Sequence, residues 1–94
     1  MQRFRARIRK QGVNPYVEVP ARVSRALARW AQSGRVRVEG RLNRTPVRAN
    51  LVPTRQGHRL YVNGGMRAAA GVSVGDTATF ALRALAAEIG RAHV

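Results

Sequence analysis

The chain has 94 residues, with eighteen basic side chains against four acidic ones and a formal net charge of +14. It lacks cysteine, which excludes disulfides and thiolate metal sites, and no apolar run approaches the roughly 20 residues needed to span a bilayer. What remains is one small globular domain with a modest core and a surface that attracts polyanions, nucleic acid foremost, by displacing counterions from phosphates.

Seventeen of the eighteen cations are arginine, running from Arg3 to Arg91, so the charge belongs to the folded body and not to a detachable tail. A GC-rich coding sequence would account for arginine over lysine, but not for the shortage of Asp and Glu. Met1 leads directly into an alternating segment, with no apolar signal region or small-residue cleavage site, which predicts a cytoplasmic protein.

Arg3 to Lys10 alternates cation and apolar residue without a break and is read as one strand, with Phe4, Ala6 and Ile8 inward. Gly12 and Asn14-Pro15 turn the chain, and Tyr16 to Val19 forms a second strand. Pro20 suits the first turn of a helix in which Val23, Leu27 and Trp30 fall on one face and Arg22, Arg25 and Arg29 on the other. Ser33-Gly34 is expected to end it. Val36, Val38 and Leu42 alternate with Arg35, Arg37, Glu39 and Arg41 in a third strand, and Asn43-Arg44 turns a hairpin.

The second half follows the same grammar. Val47, Ala49, Leu51 and Val52 form a strand ending at Pro53, Arg55 to Gly57 a loop, and Leu60 to Val62 a short strand. Asn63 or Gly64 caps a brief helix through Ala70, which Gly71 stops. Gly75-Asp76 turns into a strand over Thr77 to Leu82, with Ala78, Phe80 and Leu82 on alternate positions. Leu85 and Ile89 suggest a last helical turn. The domain is placed at residues 1–85, with 86–94 as a loose tail. The unit of strand, short helix, glycine and strand occurs at Tyr16 to Val38 and again at Leu60 to Phe80. One unit cannot bury its own sheet face, so two are expected to close on each other in a pseudo-twofold barrel.

These residues resemble a known family. Val17-x-Val19-Pro20-x-x-Val23-x-x-Ala26-Leu27, then Gly34 to Val38 followed by Gly40, Leu51-x-Pro53, and Val62-Asn63 with Met66-Arg67, Ala70-Gly71 and Gly75-Asp76-Thr77 are similar to the domain of unknown function numbered nineteen-oh-five. The most specific stretch is Met66 to Thr77. The resemblance implies a mainly β double-split β-barrel capped by short helices. That fold is shared with the AbrB and MazE type of DNA-binding regulators, which build it as dimers of half-length chains. Both halves lie in one chain here, which implies a monomer acting as a pseudo-dimer. Arg44 stands where the family's hairpin usually has glycine, and Tyr61 where a proline often precedes the second helix. The family carries no established activity.

The candidate contacts to nucleic acid are the arginines on strands and hairpins. Arg3, Arg5, Arg7 and Arg9 would lie about 6.7 Å apart on one strand face, a spacing comparable with the repeat of a phosphate backbone. The competing reading is an edge strand kept soluble by charge. Arg35, Arg37, Arg41, Arg44 and Arg48 crowd one hairpin, a shape that can enter a groove or lie along a backbone, with Glu39 placed to neutralise one of them. Arg55, His58 and Arg59 make a mobile basic tip. The outer-face arginines of the first helix are equally the ordinary surface of an amphipathic helix. Tyr16, Trp30 and Tyr61 are able to stack bases, but Trp30 and Phe80 are expected in the core, which favours backbone recognition over a stacking platform.

Asn63-Gly64-Gly65 could cradle an anion, although the same residues simply start a helix. Asp76 is expected to bond local backbone in its turn. Glu18 and Glu39 are not brought together by spacing as an acid/base pair, and His58 and His93 lack metal-ligand spacing. No nucleophile elbow, phosphate loop or dinucleotide fingerprint occurs. The expectation is therefore a non-enzymatic, cofactor-free protein that binds DNA or RNA through phosphates. An acidic protein partner, or a small anion or enzyme substrate at the glycine-rich helix start, are the alternatives.

Overall fold

Period-two alternation of inward apolar residues with outward polar or charged ones marks most of the strands of this chain. The computed structural model describes residues 1–85. It contains β1 (Gln2–Arg7), β2 (Arg9–Gln11), β3 (Asn14–Val19), α1 (Ala21–Ala28), β4 (Val36–Leu42), β5 (Thr45–Thr54), β6 (Gly57–Tyr61), α2 (Gly64–Ala70) and β7 (Thr77–Ala84). The strands form one antiparallel sheet in the order β1-β7-β4-β5-β6-β3-β2. No helix among the described residues is long and apolar enough to cross a membrane.

The expected unbroken strand from Arg3 to Lys10 divides at Ile8. On one side β1 pairs with β7, Phe4 opposite Phe80; on the other β2 pairs with β3, Arg9 opposite Tyr16. Ile8 itself is fully buried, its N–H donating to the Asp76 carbonyl at 2.8 Å and its carbonyl accepting from the Gly75 N–H. The two outermost strands are thus consecutive parts of one segment, and this requires the sheet to curl into a barrel-like shape. Inside the curl Phe4 stacks on Phe80 with centroids 5.1 Å apart. Val17, Val23, Val36, Val38, Leu42, Leu51, Leu60, Val62 and Leu82 are sealed around them.

Gly40 occupies an inward position of β4 between Val38 and Leu42, opposite Leu82 of β7. A Cβ there would land on the Ala81 carbonyl oxygen, so glycine is what lets β4 and β7 approach at this bend.

The first helix is shorter than its apolar spacing suggests. It ends at Ala28, after which Trp30 and Ala31 N–H groups bond back three residues in a tighter turn. Ser33 and Gly34 do not stop the helix. Both have positive φ, 54° and 81°, and they turn a small hairpin closed by Gln32 and Arg35. Trp30 consequently lies beyond the helical stripe that buries Val23 and Leu27, and it is 44% exposed, contrary to its expected place in the core. Pro20 stands at the N-cap.

The second helix follows expectation closely. The Asn63 side chain accepts from the Met66 N–H at 2.9 Å, and Gly71 ends the helix in the left-handed conformation. Asp76 accepts from the Ser73 N–H at 2.8 Å, a local turn bond. The turn expected over Leu85 and Ile89 lies outside the described residues beyond Leu85, whose N–H donates to the Arg37 carbonyl. The tail at 86–94 lies outside them as well.

Candidate nucleic-acid interface

Strand parity distributes the arginines. Phe4, Ala6 and Ile8 turn inward, so Arg3, Arg5 and Arg7 turn outward from β1, and all three are exposed. On β4 the same logic exposes Arg37 and Arg41, and on β5 it exposes Arg48. Between β1 and β4 runs β7, whose outward positions are Thr77, Thr79, Ala81 and Arg83. The register aligns Arg3, Ala81 and Arg41 in one row across three strands. Arg5 stands opposite Thr79, and Arg7 opposite Thr77.

One carboxylate interrupts this face. Glu39 is placed opposite Arg83 on one side and Arg48 on the other. The Arg83 Nε donates to its Oε2 at 2.9 Å and a second guanidinium nitrogen reaches the same oxygen, while Arg48 approaches Oε1 at 3.5 Å. The hydrogen bond from Arg83, followed by the charges of Arg83 and Arg48, outweighs desolvation and holds the Glu39 carboxyl below its ordinary pKa. These groups, with Arg41, Pro46 and Met1, line an open depression of about 460 Å3. Glu39 therefore neutralises part of two arginines where the sequence suggested one.

Arg83 was not among the sequence candidates, because the last strand was ended at Leu82. The parity of Ala78, Phe80 and Leu82 extended by a single residue would have found it.

Several arginines have local work. Arg22 of α1 donates to the Arg3 carbonyl at 2.7 Å, fastening the helix to β1. Arg41 donates to the Arg44 carbonyl at 3.1 Å across the β4–β5 turn. Arg35 and Arg44 sit at opposite ends of β4, in the turns before and after it, and both are exposed. Arg9 points outward from β2 opposite Tyr16.

The basic tip expected around Gly57 divides. Arg55 is exposed in the β5–β6 turn, but His58 points into the core side of β6 and is buried. Its Nε2 lies 3.1 Å from the Gly34 carbonyl, which can only accept, so Nε2 donates there, and Nδ1 lies within hydrogen-bond distance of the Ser24 hydroxyl at 3.2 Å. The imidazole links α1, β6 and the turn before β4. Arg59 is not a free cation either. Its guanidinium lies 3.9 Å from the Tyr16 ring centroid and 3.1 Å from Glu18. Tyr61 beside it and then Glu18 raise its already high pKa.

Among the described residues no three His, Asp or Glu side chains gather into a metal-binding group. The Asn63 amide oxygen is committed to its own helix cap. Trp30 and Tyr61 are the exposed aromatics, at 44% and 39%, and Arg29 lies over the Trp30 ring.

Sheet and surface together define a small, barrel-like, mainly β protein with a strongly cationic four-stranded face. The chain belongs to the family described as Domain of unknown function (DUF1905), whose model matches residues 4–82. That span runs from Phe4 in β1 to Leu82 in β7 and so takes in most of the curled sheet, with part or all of each of its seven strands. No curated protein matches the chain at a significant level of similarity.

Proposed function

We propose that this chain is a non-enzymatic nucleic-acid-binding protein that contacts phosphates through the outer face of β1, β7, β4 and β5. The observation that carries the reading is the set of seven outward, exposed arginines there, Arg3, Arg5, Arg7, Arg37, Arg41, Arg48 and Arg83, of which the last two share the single carboxylate of Glu39. Guanidinium groups bond phosphate oxygens in a bidentate fork and release counterions as they do so. Arg9, Arg35, Arg44 and Arg55 surround this face or lie at its turns and extend its field. Arg59, held by Glu18 and Tyr16, is left out of the contact set.

The finer architecture we propose is a double-split barrel with pseudo-twofold symmetry, acting as a cytoplasmic monomer. Strand pairing supports it: β5 pairs with β4 over its first part and with β6 over its last, as the β1–β2 segment pairs with β7 and then β3. Phe4, Ile8, Val17 and Val19 then correspond to Val47, Leu51, Leu60 and Val62.

The test is equilibrium binding to duplex and single-stranded oligonucleotides over a range of salt. With about six phosphates neutralised, log affinity falls against log salt with a slope near −5. Binding that is absent at low salt, or indifferent to salt, refutes the reading. A defined acidic protein that stays bound after nuclease treatment points instead to a protein-docking module.

A further inference from the structure

We infer that Ser24 is a nucleophilic serine, activated by His58 and open to acylation by a small activated ester. Ser24 and His58 are the buried polar side chains among the described residues, at 5% and 8% exposure, and they are partners. The hydroxyl of a serine inside a helix ordinarily faces solvent or bonds the carbonyl one turn back. That of Ser24 lies instead 3.2 Å from the Nδ1 of His58, bridging α1 to β6.

The imidazole is held in place from two sides. His58 stands between Val19 of β3 and Pro53 of β5 in the sheet, and its Nε2 donates to the Gly34 carbonyl at 3.1 Å. In a neutral ring held that way Nδ1 carries no proton, so it is the acceptor turned to the hydroxyl. Nucleophile, base and orienting acceptor thus follow one another in the order that activates a hydroxyl for acyl transfer.

Room is kept beside the oxygen. Gly57 has a φ of 139°, and a Cβ there would come within 2.9 Å of the Ser24 Oγ. The pair also opens outward, into a depression of about 220 Å3 walled by Ala21 and Ala28 and lined by the donor side chains of Arg25 and Gln56. Small apolar walls suit a short acyl group, and donors suit a carbonyl oxygen that turns negative.

In the step itself Oγ bonds the ester carbonyl carbon while its proton passes to Nδ1, and the carbonyl oxygen becomes an oxyanion. Collapse of this intermediate breaks the bond from carbon to the leaving oxygen, which takes the proton from Nδ1. The products are acyl-Ser24 and a free alcohol or phenol, and no further reactant is needed. This is a single covalent modification of the chain and not turnover, and it uses none of the arginines assigned to phosphate contact.

The experiment treats the protein with p-nitrophenyl acetate and follows acetylation of Ser24, Ser33 and Ser73 by peptide mass mapping. Ser33 and Ser73 are exposed and serve as references. In the folded protein Ser24 is acetylated about 100-fold faster than either, and in strong denaturant the three rates converge. His58→Gln, shown by its melting curve to be folded, loses that advantage while Ser33 and Ser73 react as before. A Ser24 no faster than the two exposed serines in the folded parent overturns the inference. So does an advantage that survives in denaturant or in folded His58→Gln. If His58→Gln does not fold, the parent compared with its own denatured form decides alone. Oligonucleotide binding enters none of these measurements, so their outcome stands apart from that of the phosphate face.

Discussion

Two halves of the sheet use arginine for different ends. On β1 and β4 the outward Arg3, Arg5, Arg7, Arg37 and Arg41 face small or uncharged residues across the ladders, and Arg3, Arg5, Arg7 and Arg37 have no side-chain ion pair among the described residues. Along β2, β3 and β6 the outer surface holds Tyr16, Tyr61, Glu18 and Arg59. There the Arg59 guanidinium lies against the Tyr16 ring and pairs with Glu18, and the two tyrosines meet edge to face with centroids 6.3 Å apart. The same residue type is a structural clamp in one half and an open charge in the other. What separates them is the neighbour across the ladder: Glu18 faces Arg59, whereas Thr79 faces Arg5.

This contrast can be broken in several places. The largest effect is expected from Gly40→Val, because a Cβ at this site meets the Ala81 carbonyl and the strands must separate. Chemical denaturation should show a loss of about 3 kcal/mol or more, or no cooperative transition at all. A stability near that of the parent would mean that the approach of β4 to β7 is not what shapes the cationic half.

His58→Ala should cost about 2 kcal/mol, since it empties a buried site and leaves the Ser24 hydroxyl and Gly34 carbonyl without their partner. Thermal melting measures it, and oligonucleotide affinity at a temperature where the variant is folded should not move.

The sharpest pair is Arg59→Gln against Arg5→Gln. Arg59→Gln should lower stability by about 1 kcal/mol through its lost ring contact and ion pair, with affinity within 2-fold of the parent. Arg5→Gln should leave stability within about 0.5 kcal/mol and weaken oligonucleotide binding roughly 5- to 10-fold. If the two variants exchange these outcomes, the division between the halves is wrong.

The smallest effect concerns Glu39. Its pKa is depressed in the folded state, so its contribution to stability is present above the ordinary carboxylate range and is lost as pH falls through the folded value. Acid unfolding of Glu39→Gln should therefore depend less on pH below about 4 than that of the parent. The same protonation releases Arg83 and Arg48, so Glu39→Gln should bind oligonucleotides roughly 3-fold more tightly at neutral pH. Equal affinity would show that those two arginines contact nothing.

The parity of β4 and β7, the Asn63 cap and the Gly71 stop were legible because each is a local rule: alternation, a side-chain acceptor at a helix start, a left-handed residue at its end. The break at Ile8 was not legible. Inward and outward parity continues straight through it, and what changes is the partner strand, which only tertiary structure supplies. Trp30 fitted the helical period that placed Val23 and Leu27, but the chain leaves the helix at Ala28 to reach the turn at Ser33-Gly34. Arg59 read as one more loop cation, because the glutamate that holds it lies 41 residues away in sequence. His58 gave no sign of burial for the same reason, its hydroxyl partner being 34 residues earlier. At the candidate interface, sequence supplied the arginines of β1, β4 and β5, while the placement of β7, with its outward Thr77, Thr79 and Arg83, between β1 and β4 came from the strand order.

The segment that divides at Ile8 borders the curled sheet at both extremes, and it also precedes every other described element in sequence. It must therefore wait for β3 before its second half pairs, and for β7, some seventy residues later in sequence, before its first half does. In folding terms β1 cannot belong to an early local nucleus, because its partner strand is so distant in sequence. It behaves as a clasp that closes a preassembled body. A chain beginning after Gln11 should then accept residues 1–11 supplied as a separate peptide, with recovery of the parent's tryptophan fluorescence and cooperative melting.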